Sequence, residues 1–152
     1  MNLETFKKVL SLTPNQTFMH VGHPNGSGVL YTIKETFNNV LVVDAAQLAD
    51  EIDIMEIVKQ NKGKSLTVVV VDANRMVPSI HNAFMREFFF NFPTNFDFKN
   101  SRLILLTNYE YKYGDDPAYE VREMPFMDMC ICDKFTHYYI EKEKPIFTHF
   151  GE

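Results

Sequence analysis

The chain has 152 residues, 45% of them apolar and 23% charged, and carries a net charge of -5. That length suits a single domain with a substantial core, and the balance is globular rather than disordered. No apolar run approaches the ~20 residues of a bilayer span, and the acidic total argues against a nucleic-acid surface resting on net charge alone.

The opening residues, MNLETFKKVL, lack the basic-then-apolar layout of a secretory leader. A cytoplasmic protein with one domain over residues 1–152 is the expectation. Residues 2–11 read as a short helix with Leu3, Phe6, Val9 and Leu10 on one side. Pro14 and Asn15 break it, and Thr17 to Val21 is a first strand. A Gly-rich turn follows in FMHVGHPNGSGVL, and Ser27 to Phe37 has helical spacing, with Ser27 placed to cap it. NVLVVDA is a second strand. AQLADEIDIMEIVKQNKG is a second helix, with Leu48, Ile52, Met55 and Val58 expected to face inward and Gly63 just past its end. Lys59, Lys62 and Lys64 fit a solvated helix end better than a basic patch.

SLTVVVVDA is the strongest strand signal, because four valines without alternation imply burial on both faces. VPSIHNAFMREFFFNF follows as a helix, opened near Pro78 and closed by Pro93. SRLILLTN is another buried strand. Residues 109–125 read as a long irregular segment and FMDMCICD as the last strand, while THYYIEKEKPIF is ambiguous between strand and helix. This alternation specifies an α/β fold: a three-layer α/β/α sandwich on a mostly parallel five-stranded sheet. Ligands in such sheets bind beyond the carboxyl ends of the strands. Those ends hold Gly22 to Gly28, Asp44, Asp72 to Arg75, Thr107 with Asn108, and Asp133.

In this order the residues resemble the core of a P-loop ATPase of the AAA+ or a closely related helicase type, over roughly residues 15–140. GHPNGSGVL stands where the Walker A loop belongs, VVVVDA where Walker B belongs, and LLTN where the sensor-1 strand ends in a polar residue. The resemblance implies that the first strand lies between the last strand and the strand of Asn108. It marks Gly22, Gly26, Ser27, Gly28, Asp72 and Asn108 as a degenerate nucleotide site. A phosphate loop needs a lysine for the β- and γ-phosphates and a hydroxyl for magnesium. Val29 and Leu30 occupy those positions, and Ala73 stands where the water-activating glutamate belongs. The loop is also one residue longer than the commonest AAA+ form. The lid that follows such cores is not expected within this length.

Other features have plainer readings. Cys130 and Cys132 are too few for a closed zinc site, and His137 or Asp133 would have to complete one. His20 and His23 read as hydrogen-bonded histidines, His81 as solvent-facing, and His137 and His149 show no partner in sequence. Phe88, Phe89 and Phe90 cannot all face one way on a helix, and Tyr109, Tyr111 and Tyr113 lie in a long loop. Together they are a candidate protein-interaction surface.

The missing groups point to a module without turnover or cofactor. It would bind or assemble with protein, either an active ATPase or another copy of itself, in a replication or mobile-element setting. Two other readings stay open. One is a divergent ATP- and magnesium-binding ATPase or helicase-loader-like enzyme, with Lys34 as the substitute cation. The other is an unrelated Rossmann-like domain that works through Asp44 and Asp72.

Overall fold

The computed structural model describes residues 1–76, 78–85, 100–108 and 135–141. The elements are α1 (Leu3–Ser11), β1 (Phe18–His23), α2 (Val29–Thr36), β2 (Val40–Asp44), α3 (Glu51–Gln60), β3 (Thr67–Val71), α4 (Pro78–Met85), β4 (Arg102–Asn108) and β5 (Thr136–Tyr139). Turns of 3₁₀ helix at Ala45–Gln47 and Ala73–Arg75 follow β2 and β3. The five described strands are all parallel, in the order β2-β3-β4-β1-β5. The first strand therefore lies between β4 and the last described strand. That last strand falls in THYY, so the start of the ambiguous tail is a strand. The strand expected in FMDMCICD lies outside the described residues, as does the 109–125 segment.

Alternating side chains build a core on each face of the sheet. On one face Val68, Val70, Leu103 and Leu105 meet Ile54 and Val58 of α3 and Ile80 and Ala83 of α4. On the other, Met19, Val21, Val69, Ile104 and Leu106 meet Phe6 and Leu10 of α1 and Val29 and Ile33 of α2. Strand β3 is buried on both sides along Val68, Val69 and Val70 because it has neighbours left and right and helices above and below. This is the three-layer arrangement expected of its valine run.

The helix after β2 departs from the sequence reading. It starts late, at Asp50, whose carboxylate accepts the N–H groups of Ile52 and Asp53 while Asp53 reaches back to the N–H of Asp50. That capping box sets the phase. Ile54, Ile57 and Val58 turn inward, whereas Ile52 and Met55 are 67% and 51% exposed.

Candidate functional site

The candidate site sits at the carboxyl edge of the sheet, where β1 gives way to α2. Gly22 is still within β1, paired with Thr107 of β4 and Tyr139 of β5. The Tyr139 ring covers it so closely that a Cβ there would lie 2.6 Å from Cδ1. Close packing under an aromatic ring accounts for this glycine. The chain then turns through Pro24 and Asn25. Gly26 (φ 66°) and Gly28 (φ 79°) take left-handed backbone that favours glycine.

Gly28, not Ser27, is the N-cap of α2, and no side chain caps that end closely. The Ser27 hydroxyl instead meets Nδ1 of His23 at 3.1 Å, and the N–H of Val29 reaches Oγ only at 3.4 Å. The left-handed Gly28 delays the helix by one residue, which moves Ser27 off the cap.

The first position of α2 is Val29, and it is 1% exposed. It packs with Phe6, Leu10 and Ile33, and Leu30 lies against the same cluster. Leu3 of α1 closes the near side, 3.5 Å from where a Cβ of Gly28 would sit. Val29 and Leu30, where the resemblance calls for an ammonium and a hydroxyl, are thus committed to the α1–α2 core. Lys34 is exposed in the last turn of α2, about 7 Å along the axis from the helix start at ~1.5 Å per residue.

The neighbouring strand ends frame the loop. Asn108 closes β4 in register with His23, is 3% exposed, and donates through Nδ2 to Oδ1 of Asn25. That bond ties the end of β4 to the turn. Asp72 follows β3 with left-handed backbone (φ 54°), and its carboxylate caps nothing, although it heads the turn Ala73–Arg75. Asp44 does cap, accepting the N–H of Ala46 at 3.0 Å. Just beyond Asp72, the Asn74 side-chain oxygen is buried with no hydrogen-bond partner among the described residues.

One cluster escaped the sequence reading. On the α3–α4 face, His20 of β1 is fully buried between Thr107 of β4 and His137 of β5. Its Nε2 is 2.7 Å from the Thr107 hydroxyl and its Nδ1 is 3.0 Å from Nδ1 of His137. Tyr139 meets the same ring edge-on at 5.9 Å. His20 is therefore the hydrogen-bonded histidine expected, and its partner His137 is not solitary. Burial, with the rings of His137 and His23 adding to it, lowers the imidazole to about 3. His20 is neutral at physiological pH, and the chain of bonds through Thr107 satisfies it.

Phe88, Phe89, Phe90, Tyr109, Tyr111, Tyr113, Cys130, Cys132, Asp133 and His149 lie outside the described residues. Among the described residues no group of three or more His, Cys, Asp or Glu side chains is placed to hold a metal. No helix among them is long and apolar enough to cross a membrane. The sequence matches no protein-family model and no curated protein.

Proposed function

We propose that this protein is a non-catalytic, AAA+-like binding and assembly module, in which the P-loop framework serves as a scaffold for protein contacts. The observation that carries this reading is the burial of Val29 at the head of α2. Phosphoryl transfer depends on positioning and on neutralising charge around the phosphates. Here the helix start offers backbone N–H groups and aliphatic carbon, and the cation position is filled by core. The strand order and the bond from Asn108 to the turn support the kinship with P-loop domains. Ala73, fully buried after Asp72, has no carboxylate to activate water.

The partner is an active ATPase or a second copy, met through the Phe-rich residues 88–90 and the Tyr-rich residues 109–113, in a replication or mobile-element setting. The test is a thermal-stability titration with ATP and magnesium alongside a turnover assay. A ligand at 100 times its Kd adds about 2.7 kcal/mol. The expected result is neither a shift nor turnover, with Phe89→Asp or Tyr111→Asp reducing association on a sizing column. A clear shift with turnover supports the divergent ATPase instead, and the uncapped carboxylate of Asp72 is the residue to mutate first in that case.

A further inference from the structure

The two edges of the sheet are finished differently. The outer side of β5 is occupied: the Met1 amine donates to the Tyr139 carbonyl at 2.6 Å, and the N–H of Glu141 donates to the Met1 carbonyl at 2.8 Å. Among the described residues nothing pairs with the outer side of β2. The bond from the N–H of Thr67 to the carbonyl of Asn39 fixes the phase of the β2–β3 ladder. In a parallel pair, alternate residues turn both backbone groups to the same neighbour. Leu41 and Val43 therefore face β3, and Val40 and Val42 point their N–H and C=O groups outward. Among the described residues nothing hydrogen-bonds to those four groups.

Such an edge is a template for another strand, and proteins usually blunt it with lysine, proline or a bulge. The segment VLVVD has neither lysine nor proline, and its register with β3 runs without interruption from Val40 to Asp44. Val42 is 37% exposed. Beside this edge, under α3, runs a groove of about 280 Å³. Leu41, Leu48 and Ile57 form its apolar floor, and Asp44, Asp53 and Glu56 supply three carboxylates with no lysine or arginine among the described lining residues.

We propose that β2 is a strand-addition site for an extended basic segment of another protein, which pairs with Val40 and Val42 and sets lysine or arginine side chains against Asp44, Asp53 and Glu56. Main-chain bonds would give affinity, and the alternate side chains would give selectivity. A second copy of this chain is the poorer occupant, since it would bring the same three carboxylates against their equals. The surface is separate from the glycine turn and stands whatever binds there.

The test uses a labelled seven-residue peptide of alternating lysine and valine, with blocked ends, followed by fluorescence anisotropy. Two control peptides replace every lysine by glutamate or the central valine by proline. The lysine peptide is expected to bind at least about tenfold more tightly than either control, and to weaken as salt rises. Val42→Pro removes an outward N–H while leaving the β2–β3 bonds in place, an edge position that tolerates proline. It should reduce binding at least about tenfold with an unchanged circular-dichroism spectrum. If that variant fails to fold, Val42→Lys keeps the backbone donor, sets a cation on the edge strand itself and should weaken binding too. Equal binding of the proline-interrupted peptide, undiminished binding by a folded Val42 variant, no binding of the lysine peptide, or self-association abolished by the Val42 change would each overturn the proposal.

Discussion

Nδ1 of His20 and Nδ1 of His137 lie 3.0 Å apart, joining β1 to β5 across 117 residues of chain. One proton serves that contact. When His20 donates it, Nε2 of His20 accepts from the Thr107 hydroxyl. When His137 donates it, Nε2–H of His20 donates to Thr107 instead. Both arrangements keep the rings neutral, and a proton on each Nδ1 would set two N–H groups against each other.

A pH dependence follows. His20 titrates at about 3 in the folded protein, mainly through burial, against 6.5 when unfolded. The unfolded chain therefore takes the proton first. The stability tied to neutral His20 is whole above pH 6.5 and is lost as the pH falls toward 3, with a slope approaching ~1.4 kcal/mol per pH unit. Urea unfolding at pH 6.5 and pH 5 reads this loss while ordinary carboxylates stay mostly ionised. His20→Gln, which bonds without titrating, should flatten the loss. A variant as acid-sensitive as the parent would count against the assignment.

Gly22 and Tyr139 give a second expectation. A methyl group at Gly22 would lie 2.6 Å from the Tyr139 ring, so the ring must move and β5 with it. Gly22→Ala should cost about 1–3 kcal/mol, the usual penalty for overpacking. Tyr139→Ala opens the same space. The double variant should then be less destabilised than the sum of the two, because residues in contact do not add. Strict additivity in chemical unfolding would show that the ring does not set the requirement for glycine.

Placing a lysine at Val29 should not create a nucleotide site. Val29→Lys places an ammonium among Phe6, Leu10 and Ile33, at a position 1% exposed. Losing the buried valine and straining to free the charge should cost about 2–3 kcal/mol. Thermal melts with and without ATP and magnesium would read the outcome. The expected variant melts lower and ignores the nucleotide. Stabilisation by nucleotide in Val29→Lys alone would mean that the backbone of the turn is still shaped for phosphate.

How much of this was legible in the chain depends on the range over which each feature is determined. The valine run of β3 and the apolar run of β4 announced central strands, because burial on both faces writes itself into consecutive residues. Helix α1 was equally clear, with Phe6 and Leu10 fully buried on its inner side. Phase was harder. Ile52 and Met55 fit an inward stripe for a helix beginning near Ala46, and only the capping box at Asp50 rotates them outward. In the same way Ser27 looked like the cap until the left-handed Gly28 took its place. In sequence the candidate site is a loop, yet its polar chemistry comes from cross-strand meetings: Asn25 with Asn108, 83 residues on, and His20 with His137. Spacing carries no trace of such pairs. They become visible only once strand order and register put them side by side.

At the opposite end of the sheet, Arg102 joins three segments. Its Nε donates to the Thr13 carbonyl at 3.2 Å, its Nη1 to the Thr67 hydroxyl at 3.4 Å, and its guanidinium carbon lies 4.3 Å from the centre of the Phe37 ring. Partial burial lowers its pKa, though no protein environment here removes the charge. Among the described residues no carboxylate forms an ion pair with it. The stabilisation then comes from neutral acceptors and a ring face, which salt screens less than an exposed ion pair. Arg102→Met should cost about 1–2 kcal/mol from the lost bonds and stacking, a fall of roughly 2–8 °C in Tm for a domain of this size. Arg102→Lys should recover only part, because an ammonium has no planar fork to lie on Phe37 while reaching both oxygens. Melts at low and high salt should show the same gap between variant and parent. If lysine serves as well as arginine, or if the gap closes in high salt, charge rather than the shape of the guanidinium holds this corner together.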